Sequence, residues 1–549
     1  MSAASSPDLP ARGPWLGGWQ IALPIVVAAA LRDLWAPDEP RYAQVAREAF
    51  EGNLFVLHLN GELYPDKPPL FYWLAGLCGH LSGWNEFALR LPSIVATLLT
   101  AWITARLARR LWGELEARWV PLLFLGTAMV LEIGGRLQID PVLTALCLAA
   151  IERATDDRGA RARRSRRLLA GGGLAGLAAL AKGPVAWLHV GVGVVALLAA
   201  RARERDGERP GRWVWASFAL LAIGPVVAWA ALASLREPEL FGALFFGQHL
   251  GRVVEATQHP GPPWEHLLHF PLYFLPFTPL FAAGIARAWR RSDRPLTAIA
   301  VWFAVVFLVF SAIPVKRDLY LLPIYPAAAL LCARVLAEGM RGRPLRAWIG
   351  TTANAVVFGF GSLFTATGVA LLVAGDTLRN AIAHRESTLE LVDFLTAEAG
   401  DTVIAGMVLV TGAAFAHRQL RRASTAAGID VLANACSAAA LVLALGVLPA
   451  LDPHKSPRAL AAYLAARPEK PVAIPCLGVQ PEGYRFYARI PTVKEDFAVA
   501  LDRDGPRFLA LAWRKEYDEL LSDAVRARMR LITTWHVGAR EILVLGAKH

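Results

Sequence analysis

The chain has 549 residues, 55% hydrophobic and 19% charged, with a mean hydropathy of +0.40. That balance excludes an ordinary soluble globular protein and points to one that sits in a bilayer. The formal net charge of +12 reads as membrane topology and not as nucleic-acid binding, because the arginines cluster between apolar runs.

A bilayer core of about 30 Å needs roughly 20 mostly apolar residues per spanning helix. The apolar runs predict spans near 17–34, 90–111, 117–134, 137–152, 168–181, 184–200, 213–234, 268–288, 296–313, 318–337, 347–374, 402–417 and 430–450. The first run is followed by no clear cleavage pattern and is read as an uncleaved first span. Five cysteines, at 78, 147, 332, 436 and 476, show no paired spacing and read as small core residues. From about residue 453 the apolar runs shorten to strand length. PVAIP, FLALAW and REILVLG are predicted strands, with SPRALAAYLAA and EYDELLSDAVRARM as helices between them. The expected fold is a polytopic α-helical membrane protein of about thirteen transmembrane helices over 1–452, with an amphipathic first outer loop at 35–89. A small α/β domain at 453–549 follows on the outer face.

The charges orient this scheme. Lys and Arg collect in short cytoplasmic loops, and here Arg106, Arg109 and Arg110, the arginines of 153–167, those of 201–212, then Arg287 to Arg294, Arg341 to Arg346 and Arg418 to Arg422 mark every second connection. The expected N-terminus is cytoplasmic, and the C-terminal domain lies outside.

The first outer loop is too long for a bare connector. It opens on the carboxylates Asp38 and Glu39, with Arg41 and Tyr42 behind them, and closes on Tyr64, Asp66 and Lys67 before a Pro-Pro turn. Other outer positions carry Arg136 and Asp140, Lys182 at a Gly-Pro turn, His249 and Arg252, and Lys316, Arg317 and Tyr320. A single acid at a membrane surface is ordinarily just solvated, and Asp38 and Asp140, each close to a proline, also fit helix starts. Lysines at span ends can simply snorkel. The outer face is, however, the side that should be poor in Lys and Arg, so a cationic set facing two or three carboxylates points to an anionic ligand, with phosphate the group that Lys, Arg and Tyr hold best. Nucleotides lie in the other compartment, and no phosphate-binding glycine loop is present. An activated substrate on this face would be lipid-linked. A transporter would instead need charges near span midpoints and an internal repeat.

These segments carry a resemblance. DEPRYAQVAREAFEGNLFVLHLNGELYPDKPPLFYWL, QIDPVLTALCLAA, GLAALAKGPVAWL, FFGQHLGRV and SAIPVKRDLYLLPIYPAAALL resemble, in order, the outer-face motifs of the aminoarabinose transferase and protein mannosyltransferase superfamily, membrane glycosyltransferases of the C-type fold. The resemblance implies inverting transfer of a sugar from a polyprenyl phosphate donor to a lipid acceptor such as lipid A, or to protein or a cell-envelope glycan, at the outer face of the inner membrane. It implies Asp38, Glu39 and Asp140 as catalytic acids. Arg41, Tyr42, Tyr64, Lys67, Lys182, Arg252, Lys316 and Tyr320 would hold donor phosphate and substrate. Some members bind a divalent metal, for which Asp66 and His249 are the matching positions. Val253 departs from the family's usual aromatic, as do the extra charges of VKRDLY.

Overall fold

The computed structural model describes residues 14–201, 210–243, 260–290, 293–342, 347–381, 386–422, 424–537 and 540–548. Helix occurs in each of the thirteen apolar stretches, beginning with a 3-10 turn at Trp15–Ala22 that runs into α1 (Leu23–Leu31). Among the described residues, seven helices are long and apolar enough to cross a membrane, or eight if Glu265–Tyr273 and Thr278–Ala288, bent by 117°, form one span.

The loop expected at 35–89 is folded. Acids in a first turn suit the positive end of a helix dipole, and proline is tolerated there. Accordingly α2 spans Asp38–Glu51, with Asp38, Glu39 and Pro40 leading it and Gly52 closing it through a hydrogen bond to the Glu48 carbonyl. A short antiparallel hairpin, β1 (His58–Leu59) with β2 (Glu62–Leu63), leads to the apolar α3 (Leu70–Leu81) and the long α4 (Glu86–Leu111).

A buried ion cluster pins this loop to the membrane helices. The Glu39 carboxylate, 2% exposed, accepts from Arg32 at 2.8 Å, from Arg90 Nε at 2.9 Å, and from the backbone N–H groups of Trp35 at 3.0 Å and Leu137 at 2.8 Å. Arg90, fully buried in α4, also donates to the carbonyls of Ala29, Arg32 and Asp33. One glutamate and one arginine thereby fasten the end of α1, the start of α2, α4 and the approach to the next outer turn.

The following helices explain why fewer than thirteen meet the length test. α5 (Glu114–Leu125) and α6 (Ala128–Ile133) are divided at Gly126 and Thr127. α7 (Ile139–Ala154) is short and carries Asp140, Glu152 and Arg153, while α8 (Arg161–Lys182) starts inside the arginine-rich segment instead of after it.

After residue 453 the chain builds a five-stranded mixed sheet of order β4-β3-β5-β7-β6, from β3 (Ile474–Leu477), β4 (Thr492–Val493), β5 (Leu509–Trp513), β6 (Met529–Val537) and β7 (Arg540–Ala547). Successive strand residues face opposite sides. Leu509, Leu511, Ile542 and Val544 pack into one layer with helix Arg458–Ala466, while Ala510, Ala512, Leu543 and Leu545 pack into another with helix Phe497–Asp504. The predicted helix over 516–529 is two short helices, Arg514–Leu520 and Asp523–Ala527, followed by β6, a strand whose mixed polar pattern hid it.

This unit rests on the loop side of the membrane helices. Trp35 Nε1 donates to Asp452 at 2.7 Å, Arg458 pairs with Asp33 at 2.8 Å, and Arg47 donates to the Phe486 carbonyl at 2.6 Å. Gly483 lies so close that a Cβ there would be 3.2 Å from Pro40 Cβ.

Removing one partner of a buried ion pair costs about 3–5 kcal/mol. Arg90→Met is therefore expected to lower the thermal unfolding midpoint of the detergent-purified protein by several degrees or more, and an unshifted midpoint would refute the anchoring role. Burial alone would raise the Glu39 pKa, but Arg90 and Arg32 outweigh it and hold the carboxylate well below its usual range. Its stabilising contribution is thus present above the unfolded-state value of about 4.3 and is lost as pH falls below it. The unfolding midpoint should fall more steeply below about pH 4 in the wild type than in Glu39→Gln.

Candidate active site

Asp38 opens α2, yet its carboxylate does not cap the helix. It accepts from Arg41, from Arg317 at 2.6 Å and from Gln138 Nε2 at 3.1 Å. Burial tends to raise its pKa, and the charges of Arg317 and Arg41 overcome that, leaving it below the usual carboxylate value. Asp38 is ionised at neutral pH and is an acceptor, not a proton donor.

A second acid stands nearby. Gln138 stands at the N-cap position of α7 without a side-chain capping bond, and Asp140, in the first turn, pairs with Lys182. Lys182 ends α8 because Gly183 follows at φ +86°, a left-handed conformation that glycine adopts freely, and Pro184 cannot continue the helix. The Lys182 ammonium sits 4.6 Å from the centre of the Tyr320 ring. Tyr320 N donates to the Arg317 carbonyl at 3.0 Å, and the Arg317 guanidinium returns to Asp38. Asp38, Gln138, Asp140, Lys182, Tyr320 and Arg317 therefore form a closed circuit in which α2, α7, α8 and the turn before helix Tyr325–Met340 meet at their ends.

Aromatic rings support the Arg41 side. Tyr42 is 4% exposed and packs edge-on against Phe71 and Tyr72, and the Arg41 guanidinium lies 5.3 Å from its ring centre. The Tyr64 and Tyr72 hydroxyls are 3.4 Å apart. Burial pushes the Tyr64 phenol up to about 12, so it remains a hydrogen-bond donor at neutral pH. Lys67 donates to the Asp66 carbonyl at 3.0 Å on the turn between β2 and α3.

Two of the expected residues are engaged away from the circuit. Glu39 is enclosed by donors and is the anchor described above, with its lone pairs engaged. Lys316, 4% exposed, turns away from the circuit and donates to the carbonyls of Ser311 at 2.7 Å and Phe310 at 3.3 Å, and to that of Ile313. It closes the C-terminus of helix Arg294–Ala312, and the cation that reaches Asp38 is its neighbour Arg317. His249 and Arg252 lie outside the described residues. Among the described residues no group of three or more His, Cys, Asp or Glu could hold a metal ion.

Gln138 and Arg90 carry weight that the sequence reading did not assign. A lone arginine within the apolar run ALRLPSIVATLL is the signal that marks Arg90, since a charge there needs a buried partner. Gln138 has no comparable signal. Lys316→Met should leave buried carbonyls without their donor, at about 1–3 kcal/mol. The expected result is a lower thermal midpoint, while Arg317 keeps its grip on Asp38; an unchanged midpoint would show that the cap contributes nothing.

Comparison with known proteins bears on this arrangement. A family model described as dolichyl-phosphate-mannose-protein mannosyltransferase matches residues 66–229. The undecaprenyl phosphate-alpha-4-amino-4-deoxy-L-arabinose arabinosyl transferase of Pseudomonas aeruginosa (strain LESB58) is 32% identical over 319 residues, covering 56% of this chain and 56% of that protein. The protein of the same name from Serratia proteamaculans (strain 568) is 28% identical over 426 residues, 72% of this chain and 70% of its own length. The chain thus spans little more than half the length of the first of these relatives. The crystal structure of ArnT from Cupriavidus metallidurans bound to undecaprenyl phosphate superposes with a TM-score of 0.73 at 22% identity, covering 96% of this chain and 97% of that one, so the fold is shared along nearly the whole length. The chain is thus similar, over the residues these comparisons match, to members of the aminoarabinose transferase and protein mannosyltransferase superfamily, and shares the fold of one of them.

Proposed function

We propose that this chain is an integral-membrane glycosyltransferase that moves a sugar from a polyprenyl phosphate donor, such as undecaprenyl phosphate, to a lipid acceptor such as lipid A. The observation that carries the reading is the ionised Asp38 gripped by Arg41 and Arg317 in a circuit completed by Asp140 and Lys182. The relatives' printed names supply the donor class.

In this reading the bond from the anomeric carbon to the donor's phosphate oxygen breaks while a bond from the acceptor oxygen to the opposite face of that carbon forms. The departing polyprenyl phosphate takes the electron pair. Cations held where this charge develops lower the barrier. Lys67 on its turn, with Arg252, meets the phosphate, and Arg41 and Arg317 are guanidiniums that a phosphate oxygen would draw from Asp38. Asp38 faces the positive character that builds at the anomeric carbon. Its low pKa makes it a weak base, which favours an orienting role toward an acceptor that is already ionised. If the acceptor is a hydroxyl, Asp38 takes its proton. Asp140 is kept in place by Lys182, and Tyr64 and Tyr320 line the sugar.

The placement follows the arginine pattern: thirteen spans in the inner membrane, a cytoplasmic N-terminus, and residues 453–549 as an outer domain. The contacts of that unit with Asp33, Trp35 and Arg47 support its lying on the side of the Asp38 loop. The family model's printed description leaves protein as the second acceptor class.

The test is transfer by the purified protein in detergent, with labelled polyprenyl-phosphate sugars offered to lipid and protein extracts. Label in the lipid fraction is expected, label in protein would move the chain to the mannosyltransferase-like reading, and absence of both transfer and donor cleavage would remove the enzymatic one. Asp38→Asn and Arg317→Gln are expected to lower kcat at least 100-fold with unchanged folding, an effect of about 2.7 kcal/mol or more. Lys67→Ala should chiefly raise KM for the donor.

A further inference from the structure

Between the end of α1 at Leu31 and the start of α2 at Asp38 the chain crosses a connection that is neither helix nor strand. Its backbone N–H groups have no ladder to join, and where they are buried they need partners from elsewhere. Leu34 is fully buried and Trp35 is 6% exposed. Trp35 N is taken by Glu39, as described above. The partners of the other three lie 419 to 453 residues further along the chain. Asp33 N donates to Asp452 Oδ2 at 3.0 Å, Leu34 N to the Tyr487 hydroxyl at 3.1 Å, and Ala36 N to the Lys455 carbonyl at 3.1 Å. Pro37 has no N–H to place, so each backbone donor from Asp33 to Pro37 is engaged.

The same few residues also hold the side chains of the connection. Asp452 accepts from Trp35 Nε1 with its second oxygen, and Arg458 pairs with Asp33. The Tyr487 hydroxyl, while accepting from Leu34, donates to Glu86 at 2.8 Å in the first turn of α4. Helix Glu482–Ala488, which carries Tyr487, presses on the first turn of α2 through Gly483 and Pro40. Apolar and surface contacts would suffice to dock the C-terminal unit. These bonds instead go to the backbone of the residues that lead directly into Asp38, whose carboxylate must meet Arg317 at 2.6 Å and Gln138 at 3.1 Å.

We propose that Asp452 and Tyr487 are positioning residues for Asp38, through which the C-terminal unit sets the geometry of the site without touching substrate. Resting on the glycosyltransferase reading, this clasp fixes where Asp38 stands relative to the anomeric carbon, and a misplacement of about 1 Å there costs on the order of 100-fold in rate. The clasp contains no donor-side cation, so its loss leaves donor binding as it is. A cavity of ≈ 390 Å³, lined in part by Asp33, Glu86, Arg458 and Tyr487, opens beside it. An amide released from its acceptor therefore meets water and exchanges its hydrogen.

The test uses the full chain in detergent. Tyr487→Phe removes one hydroxyl and keeps the ring, while Asp452→Ala removes both carboxylate oxygens. Should Asp452→Ala lose its thermal unfolding transition, Tyr487→Phe carries the test. Hydrogen exchange in peptides covering residues 32–37 should speed up about fivefold or more in each variant, the effect of one lost hydrogen bond, with α7 and α8 unchanged. The kcat for transfer should fall about tenfold or more with an unchanged KM for the donor. Added to Asp38→Asn, either change should lower kcat little further, because groups that act through one another are not additive. Unchanged exchange over 32–37 in both variants, unchanged kcat in both, or a raised donor KM in place of the lost kcat overturns the proposal. So does a full further loss of about tenfold on the Asp38→Asn background. Exchange is read without turnover, so a wild type that neither transfers sugar nor cleaves the donor overturns the enzymatic reading. The exchange result then decides by itself whether Asp452 and Tyr487 hold the connection.

Discussion

The buried Glu39 carboxylate is the interaction on which the Asp38 end of this protein depends. A charge removed from water is tolerated only when its lone pairs are fully engaged, and Glu39 meets that condition by drawing Arg32, Arg90 and two backbone N–H groups together. The donors come from three parts of the chain: the connection from α1 to α2, α4, and the approach to α7. Satisfying one carboxylate therefore fixes where α1 ends, how α2 leaves the membrane surface and how closely the approach to α7 comes. Asp38, one residue earlier, inherits its position from this anchor and meets the side chains of Arg41, Arg317 and Gln138 instead.

The same economy runs through the rest of the site. Backbone groups in a bilayer must be satisfied within helices, so irregular backbone and charged side chains gather where helices end. Asp140 and Gln138 stand at the start of α7, Lys182 at the end of α8, and Arg317 and Tyr320 on the turn before Tyr325–Met340. The circuit through Asp38 is the meeting of these ends.

Much of this was legible from residue order. The DEPRYAQ segment showed an acid pair at the head of a helix, and the Lys-Gly-Pro turn showed a lysine at a helix end, because glycine and proline punctuate local structure wherever they occur. The apolar runs FLALAW and REILVLG, shortened to strand length, gave β5 and β7. Other features were hidden for physical reasons. Lys316 and Arg317 are adjacent cations with the same local pattern, and only the direction of the chain after helix Arg294–Ala312 decides that the lysine closes that helix while the arginine reaches Asp38. Glu39 and Asp38 look interchangeable in sequence, yet one is enclosed and the other faces the circuit. β6 escaped notice because its residues alternate weakly and it is held by pairing with β7.

By itself, the sequence determined that the chain is a membrane protein, where its helices run, which loop gathers carboxylates, cations and tyrosines, and which superfamily it resembles. These are properties of composition, periodicity and local motif, which act over a few residues to one span. Only the tertiary structure decided which charge meets which: that Arg90 goes to Glu39, Arg317 and Gln138 to Asp38, Lys182 to Asp140, and that three cations gather on Trp35. Charged groups pair across tens to hundreds of residues, and which pairs form depends on how the helices pack, information that no local stretch of the chain contains.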